Sequence, residues 1–166
     1  MATVQFFYDY ECPFCKKGYE YLEDELAKLN GKVEIEWRPM EAHPAPDDAF
    51  PPHTYLACQS YYIAKELGAD MKAFHAAMFQ AIAIEKQDVE KPEVLCSILK
   101  NIVDTAKFLP LLTSGKYAKQ VDENNDLAYN KSEVWFIPAF RTNGKKLDAQ
   151  GGIGITPEDL GAFLKG

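Results

Sequence analysis

The first 38 residues spell a strand, a helix and a second strand, and that unit confines the chain to folds built on parallel strands. Residues 3–8 form a short, nearly continuous apolar run, the pattern of a strand covered on both faces. From Cys15 onward, Tyr19, Leu22, Leu26 and Leu29 recur at helical spacing, and Asn30-Gly31 stops the helix. Val33, Ile35 and Trp37 then alternate with Glu34, Glu36 and Arg38 as far as Pro39, a second strand. Two strands joined through one helix pair in parallel with a right-handed crossover.

Cys12-Pro13-Phe14-Cys15 sits where the first strand gives way to the helix. Two thiols at this spacing can close and reopen a small disulfide, and the same spacing occurs in half of a zinc site. The position separates the two. Cys12 falls at the helix N-cap and Pro13 at the first helical position, where a fixed φ is suitable and a missing N–H costs nothing. Cys12 then faces unpaired N–H groups and the positive end of the helix dipole, which favour a thiolate, the form that attacks disulfides. Zinc lacks further ligands: there is no second CxxC, and His43, His53 and His75 have no ligand spacing with the cysteines.

Beyond Pro39 the residues 39–53 are rich in proline and acid (Pro44, Pro46, Asp47, Asp48, Pro51, Pro52) and read as an ordered loop or exit linker. From 54 to about 130 the pattern is helical throughout. One helix covers 54–67 and closes at Gly68; Asp70 caps a second; Pro92 opens a third; Thr105 begins a fourth; Gly115 precedes the last. Strand character returns at 139–142 and 147–150 around Asn143-Gly144, a dipeptide typical of tight hairpins. Gly151-Gly152-Ile153-Gly154 has the wrong spacing for a dinucleotide fingerprint and reads as a turn. Thr156-Pro157-Glu158-Asp159 then opens a closing helix.

The expected architecture is therefore α/β: residues 1–53 and 131–166 as a core carrying a four-stranded mixed sheet, with 54–130 inserted as an all-helical subdomain. A formal charge of −7 argues against nucleic acid or an anionic membrane as partner, and no apolar stretch reaches the length of a membrane span. Strand residues start directly after Met1-Ala2 with no basic or apolar leader, so a cytoplasmic location is expected. A secreted chain trimmed at its mature start would look the same.

The order of these elements resembles the thioredoxin superfamily in its DsbA-like branch, and within it the FrnE-type group. The residues carrying the likeness run the length of the chain: Tyr8-Asp9-Tyr10-Glu11 before the cysteines, Trp37-Arg38-Pro39 with His43-Pro44, Phe74-His75-Ala76-Ala77-Met78-Phe79, Ser114-Gly115-Lys116-Tyr117, Ile137-Pro138-Ala139-Phe140 and Gln150-Gly151. The resemblance implies a thioredoxin fold and a thiol–disulfide oxidoreductase with no cofactor. It implies Cys12 as the attacking thiol and Cys15 as the resolving one. Pro138 is implied to be cis beside them, and Phe14, Ile137 and Pro138 to bind substrate. The implied partners are protein or peptide thiols and disulfides, with glutathione as a further redox partner. The chain carries Pro-Phe between its cysteines, not the Pro-His of strongly oxidising periplasmic members.

Two alternatives share the fold. Kappa-class glutathione transferases and 2-hydroxychromene-2-carboxylate isomerases carry serine where Cys12 stands; cysteines at both positions 12 and 15 weigh against that chemistry. A non-catalytic peptide- or metal-binding module is the other. Among single residues, Lys16 and Lys17 are expected to favour the Cys12 thiolate and Asp9 and Glu11 to oppose it, while Glu34 or Glu36 is a candidate proton relay to Cys15. Cys58 and Cys96 read as reduced and buried, His43 and His53 as loop-capping or solvent-facing, and His75 as a satisfied helix histidine. Tyr10, Trp135 and Phe136 read as core, and Phe14 as an exposed apolar residue at the helix tip.

Overall fold

β1 (Ala2–Tyr8) is the centre of the molecule, and the other strands are added on either side of it. The computed structural model describes residues 2–46 and 50–166, so residues 47–49 of the proline-rich loop lie outside the described residues. β1 leads into α1 (Pro13–Leu29), which returns the chain to β2 (Val33–Pro39), parallel to β1 from Ala2 opposite Val33 to Tyr8 opposite Pro39. Asn30, in the left-handed region at φ 49°, ends α1.

Among the described residues five helices follow before the next strand: α2 (Tyr55–Glu66), α3 (Met71–Phe79), α4 (Pro92–Leu99), α5 (Thr105–Thr113) and α6 (Ala118–Asp126). α3 and α6 each run on into a single π-helical turn, Gln80–Ile84 and Leu127–Lys131. The expected caps recur: Asp70 accepts from the N–H groups of Lys72 and Ala73, and Pro92 stands in the first turn of α4. α5 starts at Thr105 as expected, capped by Asp104, whose carboxylate accepts from Ala106 N–H.

β3 (Ala139–Thr142) pairs antiparallel with β1, and β4 (Lys145–Asp148) with β3, giving the order β2-β1-β3-β4 in one mixed sheet. β4 begins two residues earlier than its sequence pattern indicates. Asn143 and Gly144 both have positive φ, 46° and 77°, so the turn uses only these two residues and pairing resumes at once. Beyond Asp148, Ala149 N–H bonds the Pro138 carbonyl, and Gln150 bridges to Gly154. α7 (Pro157–Lys165), capped by Thr156, packs beside α1. Among the described residues no helix is long and apolar enough to cross a membrane.

Both faces of β1 are covered, as its unbroken apolar run requires. On one face Phe6 stacks on Phe140 (4.7 Å between centroids, 5° between planes) and on Tyr8 (4.7 Å). Helices α1, α3 and α7 add Leu22, Phe74, Met78 and Leu160 to this core. On the other face Phe7 packs with Met40, Ala128, Val134 and Ala139.

His75 of α3 reaches the strand side of this core. Its ring lies against Trp37 (4.5 Å, 23°) and Tyr61 (5.7 Å, 25°), and its Nδ1 pairs with the Tyr10 hydroxyl at 3.0 Å. Tyr10 in turn pairs with the Tyr8 hydroxyl at 3.2 Å. Only half of the expected satisfaction is present, since Nε2 is buried without a partner. Burial holds the imidazole neutral, pushing its pKa from 6.5 down to about 3. Below pH 6.5 the unfolded chain takes up a proton that the folded chain refuses, so this contribution is complete above pH 6.5 and is lost as pH falls toward 3. Between pH 7 and 4.5 the loss amounts to about 2–3 kcal/mol. His75→Gln lacks it, so the stability advantage of wild type over the variant, measured in urea, should shrink by that amount over this interval. A gap that does not change with pH would show that His75 titrates normally in the folded protein.

Candidate active site

The end of β1 delivers Asp9, Tyr10 and Glu11 to the first turn of α1, and Cys12 follows as its N-cap with extended φ and ψ of −89° and 116°. The Cys12 carbonyl accepts from Cys15 N–H at 3.0 Å and Lys16 N–H at 3.1 Å, while its Sγ accepts from Cys15 N–H at 3.4 Å. Cys12 is partly exposed and Cys15 fully buried. The two thiols are also unequal in acidity. A hydrogen bond from the Cys15 thiol lowers the Cys12 pKa, assisted by the N–H groups of Cys15 and Phe14, against an opposing effect of burial. Burial raises Cys15 well above the ordinary thiol range, and its bond to Cys12 raises it further. The pair is thus asymmetric, with the outer sulfur the readier to ionise and the inner one the stronger holder of a proton.

The lysines expected to assist are placed otherwise. Lys16 pairs with Glu20 along α1, and Lys17 is exposed. Hydrogen bonding, not lysine charge, sets the acidity of Cys12. The expected opposition of Asp9 holds, and it comes from an acid that is itself fully buried. Asp9 Oδ2 accepts from Ala42 N–H (2.8 Å) and the Thr54 hydroxyl (3.0 Å), and Oδ1 from Glu11 N–H (3.3 Å). Burial nevertheless wins over these bonds and raises its pKa to about 6. Glu11 is pushed to about 8, by burial first and then by the charges of Asp9 and Cys12. Glu36, one of the two relay candidates, accepts from Gln5 and pairs with Arg38 on the outer strand, and these partners lower its pKa.

Pro138 is buried opposite the cysteines, and the Ile137–Pro138 peptide is cis. The Ile137 carbonyl oxygen lies 3.9 Å from Cys12 Sγ. Gly18 of α1 makes this approach possible: a Cβ there would stand 2.8 Å from Cγ of the Pro138 ring. Phe14 is half-buried and folds back over Gly154, where an added Cβ would meet its ring at 3.0 Å. Trp135 (69%), Phe136 (55%) and Phe50 (52%) are exposed, so the expected core positions of Trp135 and Phe136 are corrected. These three line, with Cys12, Met40, Ile82 and Ile137, a cavity of about 640 Å³. His43 stacks on Phe50 at 4.1 Å on its rim.

This geometry matches known proteins over nearly the whole chain. Residues 3–154 correspond to the family described as DSBA-like thioredoxin domain. The chain belongs to that family. A probable DsbA oxidoreductase from Streptomyces coelicolor superposes with a TM-score of 0.82 at 18% identity, covering 99% of this chain and 89% of the other. Pseudomonas aeruginosa DsbA gives 0.76 at 24% identity, with 98% and 80% covered. Reduced DsbA1 from Neisseria meningitidis gives 0.73 at 17% identity, with 99% and 81% covered. At these identities the likeness is one of fold. No curated protein matches the chain.

Within this DSBA-like domain the structure therefore brings Cys12, Cys15, Ile137 and Pro138 together and turns Phe14 aside. It adds Gly18, His43, Phe50 and Trp135, none of which carries a local pattern that marks it as part of a site. Of the remaining cysteines, Cys58 is buried and its thiol donates to the Met40 carbonyl at 3.4 Å, whereas Cys96 is partly exposed, against expectation. His53 lies 3.5 Å from Glu90 and is largely covered, not solvent-facing.

The buried acid gives a pH test. Asp9 is protonated more readily in the folded than in the unfolded chain, so its contribution is favourable below about pH 3.8 and declines as pH rises through 6. Asp9→Asn removes that decline. Relative to wild type, its unfolding free energy should rise by about 2–3 kcal/mol between pH 4 and 7.5. Denaturant titrations at both values check this, and a constant difference would place Asp9 among ordinary carboxylates.

Proposed function

We propose that the protein is a thiol–disulfide oxidoreductase exchanging disulfides with protein substrates through its Cys-Pro-Phe-Cys dithiol. The observation that carries this is the asymmetry of the pair: a partly exposed Cys12 with a lowered pKa beside a buried Cys15 with a raised one. Attack needs a thiolate that substrate can reach, and resolution needs a second thiol that substrate cannot. Residues 1–53 and 131–166 supply these groups in this reading, and 54–130 cover one side of them. The FrnE-type pattern of the motif agrees with it.

In the reducing direction the Cys12 thiolate attacks one sulfur of a substrate disulfide, forming a mixed disulfide and releasing the other substrate sulfur as a thiolate. Cys15 gives up its proton and attacks Cys12 Sγ. The Cys12–Cys15 bond forms, the mixed disulfide breaks, and the second substrate sulfur leaves to be protonated. Two electrons have moved to substrate. Oxidation runs the same steps backward. An extended substrate segment passes the Ile137 carbonyl and Pro138, while Trp135 and Phe136 hold its apolar side chains. Phe14 supports the Gly154 turn behind them and takes part in binding through that contact. The proposed setting is cytoplasmic, in keeping with four free cysteines, because reducing compartments disfavour structural bridges.

Cys12→Ser should abolish insulin reduction, since no other described thiol is both accessible and acidified. Cys15→Ser should lose turnover and accumulate covalent adducts at position 12, visible by mass spectrometry. Iodoacetamide should label Cys12 of the reduced protein first, with a half-maximal rate below the ordinary thiol pKa of about 8.5. Sustained turnover in Cys15→Ser would point to glutathione chemistry at Cys12 alone, and preferential labelling of Cys15 would reverse the roles.

A further inference from the structure

Among the described residues Glu11 is the one carboxylate-bearing residue lining the cavity beside Cys12, and it has no hydrogen-bonded cation. Its Oε1 lies 3.6 Å from His43 Nε2, beyond hydrogen-bonding distance, and its side chain is 21% exposed. Asp9 and Glu41 are buried behind it and add negative charge. Lys86, also on the cavity wall, is the opposing cation, and it is exposed. The remaining walls are largely apolar: Met40, Ile82, Phe50 and Trp135. A largely apolar cavity with a carboxyl group that is only partly compensated on its wall suits a side chain with an aliphatic stem and a cationic end.

We propose that Glu11 is a specificity-determining residue that selects substrate segments carrying arginine or lysine next to the reacting cysteine. This rests on the oxidoreductase reading and adds the class of segment preferred. The cation fits because, among the described residues, it meets the Glu11 carboxyl with the buried Asp9 and Glu41 behind it, against Lys86 and His43, and the groove excludes part of the water that would screen them. Burial first, then the charges of Asp9 and Cys12, raise the Glu11 pKa to about 8 against the opposing charge of Lys86. A bound guanidinium or ammonium group would add a hydrogen-bonded cation. An acidic flanking residue meets the same groups with the wrong sign.

Binding can be measured apart from redox turnover. Three short peptides are used, each with serine in place of cysteine and flanked on both sides by Arg, Ala or Glu. Isothermal titration with the oxidised protein at pH 8 and low salt gives their dissociation constants. The Arg peptide should bind about tenfold more tightly than the Ala peptide, and the Glu peptide more weakly than either. Glu11→Gln should bring Arg and Ala within twofold of each other. Lys86→Asn, which removes the opposing cation and tolerates the left-handed backbone at position 86 (φ 56°), should widen the gap. Equal binding of Arg and Ala peptides by wild type, undetectable binding of the Arg peptide, or a preference that survives in Glu11→Gln overturns the proposal. Failure of the oxidoreductase reading itself registers separately, as absent insulin reduction by the same preparation.

Discussion

Everything in this fold is hung from β1. It is hydrogen-bonded on both edges, to β2 and β3, and buried on both faces, so its register and direction are fixed more tightly than those of its neighbours. Phe6 and Tyr8 point to one core and Phe7 to the other, so a one-residue slip would exchange both sets at once. That rigidity passes directly to function, because the four residues after Tyr8 are Asp9, Tyr10, Glu11 and Cys12. Asp9 and Tyr10 are anchored, the first to Ala42 and Thr54, the second to His75. Cys12 is thus placed by a strand on one side and the first turn of α1 on the other.

The electrostatics around Cys12 are a contest between hydrogen bonds and acids. Helix N–H groups and the Cys15 thiol favour its negative charge; Asp9 opposes it through a medium that screens poorly. Because hydrogen bonds are what lower the Cys12 pKa, its acidity depends on the geometry of the helix start. That dependence explains why the partner sulfur must be buried. A Cys15 that readily lost its proton could no longer donate to Cys12, and the acidity of the pair would even out.

Much of this was legible in the sequence because it follows from local rules. Proline after Cys12, Asn30-Gly31, Asp70, Pro92 and Asn143-Gly144 each act through their own backbone, and the elements they bound are present. The strand–helix–strand unit and the Cys-Pro-Phe-Cys motif likewise identify the reactive end. What was not legible depends on contacts between distant segments. Trp135 and Phe136 look like core by composition, yet they stand beside a groove formed with Phe50 and Ile82. Phe14 looks exposed by position, yet the turn at Gly154 covers it. Lys16 looks like a partner for Cys12, but Glu20 lies one helical turn away and competes for it. β4 differs from its pattern because Leu147-Asp148-Ala149-Gln150 alternates apolar and polar while Lys145–Asp148 does not, and only the two-residue turn starts the pairing at Lys145.

Gly18 carries a last consequence. By helix propensity alone, alanine would be the better residue at this position by roughly 1 kcal/mol. A single methyl group there would stand 2.8 Å from Cγ and 3.2 Å from Cβ of a proline ring that can change only its pucker. The position therefore works as a gauge of the distance between α1 and the segment entering β3. Chains that keep the Pro138 contact are restricted to the smallest residue at 18, however much the rest of the helix diverges. A change there that is tolerated would signal a different spacing between the cysteines and the proline, and with it a groove of different width.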